Sequence, residues 1–563
     1  MAEKSRKKQM MEDVDKAVEI LYALKTEQSI NIANNLKALY SEIVAKNYGL
    51  VFEQHTEDMD RILSENLPIL VENKKNRVIN SDKNHNYIMK GDNLASLNLL
   101  LKTHKQQINV IYIDPPYNRG KNDFIYDDTF IGEDDTFRHS KWLSFMEKRL
   151  KQAKDLLTDD GVIFVSIDDN EFAQLKLLLD SIFDEANFIG CLPRVTKKSG
   201  KSTVSFSKNH DYVLIYVKEK SNIFSMKEHV DEGFRYTDSF VNERGPYKLN
   251  QTLDYNTLGY VNSLDFPIVI NGNTYYPGQF SESEYLQRKS DNPKDGFRWR
   301  WSKELVKFGM KNDWIVVNEN TGRLYTKTYL KATIKKQNGN YEIDYFKRTK
   351  PMSTLELIEN KYSNDNARKE LDSFKLEDKF DYPKPSSLIK RLLETYYDDN
   401  AIVLDFFAGS GTTSQAVLEL NEEDGGNRTF ILCTNNQNNI CDNITYPRVK
   451  LLIQKYKSNL REFRIDFINV KNKMYLEYAN ELLEHIKDLI EFKYSFTSNN
   501  NDKYKIILDD DELNEFMKDI KVLENIEKIF IGINVLLSSN NKKIILENNI
   551  DLFIVPDYYY SDL

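Results

Sequence analysis

Val110-Ile111-Tyr112-Ile113-Asp114-Pro115-Pro116-Tyr117 is the stretch on which the fold turns. Four apolar residues read as a buried strand, and the run stops at a carboxylate, two imino acids and an aromatic ring. Paired prolines force an extended, rigid turn and remove two N–H donors, so the carbonyl beside Pro115 is open to accept a hydrogen bond. Together with the Asp114 carboxylate it presents two acceptors to one NH2 group, and Tyr117 offers a face for an unstacked base. The set suits an exocyclic amine on a flipped nucleobase. Both acceptors hold the nitrogen's protons and direct its lone pair out of the ring, which makes the nitrogen a nucleophile. Asp114, Pro115, Pro116 and Tyr117 are the candidate catalytic residues.

A second motif makes the first legible. Val403-Leu404-Asp405-Phe406-Phe407-Ala408-Gly409-Ser410-Gly411-Thr412-Thr413 reads as a buried strand, a glycine turn, and a helix opening at Thr412 or Thr413. Glycines 409 and 411 allow positive φ and close approach to a ligand. The third glycine of a dinucleotide fingerprint is missing, because Gln415 follows, and no Gly-Lys-Ser/Thr phosphate loop is present. Beside the proline tetrad, the better fit is the S-adenosylmethionine loop of a methyltransferase.

These blocks resemble the β-group amino-methyltransferases of DNA, specifically the modification (Mod) subunits of type III restriction-modification systems. The resemblance runs from about Asn86 to Arg448. It rests on Gly91-Asp92-Asn93-Leu94, the tetrad with Asn118, Trp142 to Met146 with Arg149-Leu150, Gly161 to Glu171, Tyr382-Pro383-Lys384-Pro385-Ser386, and Phe407 to Thr413. It implies an α/β fold: a Rossmann-like S-adenosylmethionine-dependent methyltransferase sheet in circularly permuted (β-group) order. An inserted mixed α+β target-recognition domain and helical N- and C-terminal additions complete the expectation. The resemblance assigns Asp92 to the cofactor's adenine edge, the turn Phe407, Gly409, Ser410, Gly411 and Thr412 with Asp405 to its methionine part, and Lys384, Pro385 and Ser386 to its carboxylate end. Asp92 has a second reading as a helix cap. The resemblance further implies adenine N6 as target in double-stranded DNA, S-adenosyl-L-methionine as cofactor, no metal, a homodimer, and an ATP-driven restriction (helicase-endonuclease) subunit as partner. The alternative is a solitary β-group enzyme acting on adenine N6 or cytosine N4. After Thr429–Cys433, where such folds place an acid for the ribose, this chain has Thr434-Asn435-Asn436-Gln437.

Composition sets bounds. A chain of 563 residues predicts several domains. No run of eighteen apolar residues occurs and no signal peptide is evident, so the expectation is a cytoplasmic protein away from membranes. Cys191, Cys433 and Cys441 are too few and too scattered for a disulfide framework or a zinc site. The net charge is −9, yet Pro193 to Lys350 holds 27 Lys and Arg against 18 Asp and Glu, a local +9 that leaves −18 for the rest. A basic segment in an acidic chain still docks on phosphates, because exposed charges act over about 10 Å. Lys197, Lys198 and Lys201, among small residues, are the candidate DNA-binding lysines.

Organisation follows from the periodicities. Residues 1–80 read as helical. Strand-helix alternation over 81–192 marks the catalytic half of the core, and short strands with Asn-Gly turns over 193–375 mark the target-recognition domain. The alternation resumes over 376–447 as the cofactor-binding half. A helical region over 448–498 and a small α/β module over 499–563 close the chain.

Overall fold

The computed structural model describes residues 14–556 and Tyr559, except 46–49, 82–84, 121–123, 127–128, 133, 199–205, 220–223, 225–226, 229–232, 292–295, 338, 347–348, 377–379, 381, 475–476, 497–502 and 519–524. Lys201 and the Asn499-Asn500-Asn501 linker lie outside the described residues. The chain forms two compact units, Met1–Ser225 with Ser353–Leu563, and Met226–Met352.

The first unit is built on a nine-stranded sheet. Its strands are β1 (Asn66–Glu72), β2 (His85–Lys90), β3 (Ile108–Ile113), β4 (Leu157–Ile167), β5 (Phe188–Val195), β6 (His210–Val217), β7 (Ile402–Asp405), β8 (Thr429–Thr434) and β9 (Asn459–Asn469), in the spatial order β1-β9-β2-β8-β7-β3-β4-β6-β5. The six strands from β9 to β4 run parallel, and the edges are antiparallel. Parallel strands buried on both faces call for continuous apolar runs, which β3 and β4 have: Val110 to Ile113 and Val162 to Val165 are fully or almost fully buried.

Helices cover the two faces. Helix α1 (Asn93–His104) follows β2, α2 (Arg138–Leu156) links β3 to β4, and α3 (Phe172–Phe183) follows β4. Helix α4 (Ser386–Leu393) precedes β7, α5 (Thr412–Asp424) links β7 to β8, and α6 (Tyr446–Tyr456) leads to β9. Ile431 and Cys433 of β8 pack into one cluster with α1, α2 and α3, while Leu432 lies under Gly411 at the start of α5. From neighbouring β3 and β7 the chain leaves in opposite directions, β3 to β4 and β7 to β8. That junction is the switch point where open α/β sheets hold ligands. In chain order, the strand carrying the tetrad precedes the strand carrying the glycine turn.

Three sequence-based boundaries move. The helical reading of 1–80 holds for the helices over 14–23, Glu27–Ala45 and Asp58–Glu65, but Asn66–Glu72 is a strand with Leu67, Ile69 and Leu70 buried. The helical reading of 448–498 fails between α6 and the helix Ala479–Tyr494, where β9 lies in the sheet. Its alternation is hidden because Arg461 and Glu462 are buried, Arg461 on Glu72 (2.7 Å) and Glu491 (2.6 Å), and Glu462 under Asn73 and Asn76. The segment expected over 193–375 begins later, because β5 and the apolar run Val213 to Val217 of β6 extend the sheet.

The second unit is a set of short antiparallel pieces. Tyr247–Thr252, Leu324–Tyr329 and Ile315–Val317 form a three-stranded sheet, and hairpins pair Ile268–Ile270 with Asn273–Tyr275 and Ala332–Gln337 with Asn340–Tyr345. The first hairpin turns on Asn271 and Gly272, both at positive φ, as a two-residue turn of right-twisted strands requires. Leu253, Phe266, Trp299, Val306 and Leu324 form one core, and Tyr247, Trp314 and Tyr329 part of another. These aromatics of the basic segment are therefore structural. At the far end, Tyr504–Ile507, Lys528–Ile531 and Asp551–Ile554 make a small parallel sheet in the first unit.

Candidate active site

The sheet brings the sequence motifs together at the carboxyl ends of its strands. Gly91-Asp92-Asn93 follows β2, the tetrad follows β3, and the glycine turn follows β7; Val403 and Leu404 stand beside Val110 and Ile111. Asp114 is the centre of this junction. Its Oδ2 accepts from Lys384 Nζ at 2.5 Å, while its buried Oδ1 has no hydrogen-bond partner. Lys384 is only 8% exposed, and its ammonium also lies 4.9 Å from the centroid of the Tyr117 ring. The lysine expected at a cofactor carboxylate thus grips the tetrad at both ends.

The proline turn is anchored by Trp142, whose buried indole donates from Nε1 to the Pro116 carbonyl at 2.7 Å. Tyr117 Oη donates to Asp211 Oδ2 at 3.3 Å. Asp211 is held by the fully buried Arg194, which also reaches the Tyr362 carbonyl (2.7 Å) and Asn364 Oδ1 (2.9 Å). Burial, with Asp114 and Asp211 close by, raises the Tyr117 phenol well above its ordinary range, so the ring stays neutral.

The glycine turn is fixed from beneath. Gly409 and Gly411 have φ of 50° and 76°, the left-handed region open to glycine. A Cβ on Gly411 would lie 3.2 Å from Thr445 and Val449, so this glycine also lets α6 approach. Asp405 accepts from Phe407 N (3.0 Å) and from Thr413 Oγ1, and burial lifts its carboxyl to about 7. Arg448 is fully buried and binds Ser410 O (3.2 Å), Ser410 Oγ (3.0 Å), Thr412 Oγ1 (2.9 Å) and Gln415 Oε1 (2.8 Å). Burial lowers its guanidinium to about 10. The hydroxyls of Ser410 and Thr412, expected on the cofactor, are engaged by this arginine. Sequence reading used Arg448 only as a boundary, although an arginine set beside Val449, Leu452 and Ile453 on the buried face of a helix was a visible signal.

Asp92 takes the geometry of its second reading. It caps α1, accepting from Leu94 N at 2.7 Å, and its carboxylate edge remains partly exposed. Behind it Arg149 is buried on Glu57 (2.8 and 3.0 Å), Asn93 Oδ1 (2.5 Å) and the Phe145 ring (3.5 Å), and Asn93 in turn donates to the Phe406 carbonyl at 3.1 Å. Pro385 and Ser386 are buried at the start of α4, with Ser386 N on Glu370 Oε2 at 2.9 Å. Past β8, Asn436 Nδ2 donates to Asp442 at 2.8 Å and Lys90 pairs with the same carboxylate at 2.6 Å, so an acid from the next helical turn stands where the sequence shows only amides. Lys197 and Lys198 are exposed beyond β5. Among the described residues no helix is long and apolar enough to cross a membrane.

Comparison with known proteins agrees with this geometry. Residues 108–446 match the N6/N4 family model described as DNA methylase. The chain is 31% identical over 470 residues to the type III restriction-modification enzyme StyLTI Mod subunit of Salmonella typhimurium, covering 75% of this chain and 66% of that protein. It is 33% identical over 403 residues to the EcoPI Mod subunit of Escherichia phage P1, covering 65% and 60%. With the type II methyltransferase M.KpnI of Klebsiella pneumoniae it shares 32% identity over 389 residues, covering 68% and 85%. The chain thus spans 66% and 60% of the lengths of these two Mod subunits. The family match covers both the strand of the tetrad and the turn of the glycines, and the chain belongs to the N6/N4 DNA methylase family.

Proposed function

We propose that this chain transfers a methyl group from S-adenosyl-L-methionine to adenine N6 in double-stranded DNA, as the modification and specificity subunit of a type III restriction-modification system. The observation that carries the reading is the divided carboxylate of Asp114: one oxygen held by Lys384, the other buried without a partner. A buried acceptor without a donor is costly unless a ligand supplies one, and an exocyclic amine is such a donor. With the Pro116 carbonyl taken by Trp142, the second acceptor falls to Pro115. The residues suit the cofactor: a glycine turn opens a helix at the switch point, Asp92 presents a carboxylate edge, and Asp442 stands near the end of β8.

The chemistry asks little beyond alignment. Bound S-adenosylmethionine supplies an activated methyl group. The tetrad orients the amine for in-line attack, which is worth several kcal/mol through positioning alone, and Asp114 accepts the amine's hydrogen bond and then its proton. The permuted strand order belongs to this reading, as do target recognition by the inserted unit, phosphate contacts from Lys197, Lys198 and Lys201, a homodimer, and a helicase-endonuclease partner. The second reading is a solitary β-group enzyme without a restriction partner; the type II methyltransferase M.KpnI is covered to 85% of its length. Base-resolved sequencing of DNA from cells expressing this chain alone tests the activity. N6-methyladenine at one recurring sequence is expected, and unmodified DNA overturns the proposal.

A further inference from the structure

Glu171 follows β4, is fully buried, and enters none of the roles above. Its Oε1 accepts from Asn118 Nδ2 at 2.5 Å and from His139 Nδ1 at 2.6 Å. Asn118 is the residue after the tetrad; it is fully buried and held at φ 56°. Its Nδ2 also donates to the Arg138 carbonyl at 3.1 Å. A carbonyl only accepts, so the amide's orientation is fixed by the network. Two buried atoms are then left without partners, Asn118 Oδ1 and Glu171 Oε2.

Both are acceptors if Glu171 is a carboxylate, and both are then unsatisfied. A proton on Oε2 changes this, because a carboxylic acid and a primary amide pair edge to edge: the amide N–H donates to one acid oxygen, and the acid O–H donates to the amide oxygen. The N–H half of that pair is present at 2.5 Å. Burial favours the proton, against the Asn118 hydrogen bond and the positive charge of Arg138. Arg138 Nε donates to His139 Nε2 at 3.2 Å, which leaves the imidazole proton on Nδ1 and the ring neutral; burial and Arg138 lower its basicity further. From the loop after β4, Asp168 adds negative charge, while Gln174 of α3 approaches only His139 (3.4 Å). Burial lifts the Glu171 carboxyl to about 8.

We propose that Glu171 is a positioning residue that works as a neutral acid, paired with the Asn118 amide to lock the left-handed residue on which the Asp-Pro-Pro-Tyr turn ends. It touches neither amine nor cofactor, and acts through the placement of Tyr117 and Asp114. The proposal rests on the methyltransferase reading for its kinetic test, but not for its stability test.

Glutamine can form the same two-bond pair and cannot titrate, whereas leucine forms neither bond. In single-turnover methyl transfer to duplex DNA from about pH 6 to about pH 9.5, E171Q is expected to keep the wild-type rate at neutral pH and to lose the alkaline decline centred near 8. E171L is expected to fall roughly 100-fold in kcat with its KM for S-adenosylmethionine unchanged. E171Q as impaired as E171L, or an alkaline limb shared by wild type and E171Q, overturns the proposal. The second readout needs no activity. A carboxyl whose folded pKa is raised contributes stability that is full below its ordinary 4.5 and is lost as pH rises through about 8. Urea unfolding should show that loss in wild type and not in E171Q, and identical pH profiles of stability refute the pair. If wild type methylates no DNA, the functional reading fails while this second arm still decides the pairing.

Discussion

Lys384 and Asp114 are 270 positions apart in the chain and 2.5 Å apart in the folded protein. The lysine approaches from the start of α4 and the aspartate from the end of β3, so the contact joins the two halves of the core at the switch point. It uses one carboxylate oxygen, and the other is buried without a hydrogen-bond partner. A single ion pair therefore sets the direction of the Asp114 carboxylate, and the cation–π contact to Tyr117 sets the ring beside it.

The pairing predicts a separation of stability from activity at Asp114. D114A leaves a buried ammonium without its partner and should lose about 3–5 kcal/mol of stability along with methyl transfer. The double variant D114A/K384M should recover most of that stability and none of the activity. Denaturant unfolding and a methyl-transfer assay check both; a D114A protein as stable as wild type would show that the pair is not desolvated.

Arg448 makes the turn's conformation depend on one residue of α6. R448M removes the donor from Ser410 O, Ser410 Oγ, Thr412 Oγ1 and Gln415 Oε1, and each buried acceptor so orphaned costs about 1–3 kcal/mol less whatever relaxation recovers. The expected result is a folded protein with at least tenfold weaker S-adenosylmethionine binding by calorimetry, roughly 1.4 kcal/mol. Unchanged affinity would make Arg448 a support of α6 alone.

Among its described residues, the unit Met226–Met352 contains no strand of the large sheet. Exchanging it with the matching unit of a related enzyme should move the methylated sequence and preserve solubility. An exchange cut at 193 removes β6 and severs β5, exposing the hydrogen-bonding edge of β4, and should aggregate. Expression followed by base-resolved sequencing distinguishes them: an active narrow chimera that still marks the original sequence would place specificity elsewhere.

The proposed dimer draws on the first helices and not on the late one. Leu482, Ile486, Leu489 and Ile490 of the late helix are buried in the chain's own core, whereas Ile20, Leu24, Ile30 and Ile32 are 40–64% exposed. Replacing these four with lysine should convert a dimer to a monomer in light scattering at micromolar concentration without altering the unfolding midpoint. A wild-type protein of single-chain mass refutes the dimer.

By itself the sequence determined the local chemistry: the strand that ends on Asp114, the proline turn, the glycine turn at Gly409 and Gly411, and the α/β alternation around them. These are short-range properties, set by apolar runs, fixed φ angles and missing side chains, and the fold kept each where it was read. Only the tertiary structure decided which groups meet. Lys384 faces Asp114, Arg448 takes the hydroxyls of Ser410 and Thr412, Glu171 pairs with Asn118, and Asp442 joins the end of β8. The strand Asn459–Asn469 escaped notice for the same reason. Its buried Arg461 pairs with Glu72 and its buried Glu462 accepts from the Asn73 amide, both partners hundreds of residues away, so a charge pattern that reads as surface in one dimension is interior once the sheet is assembled.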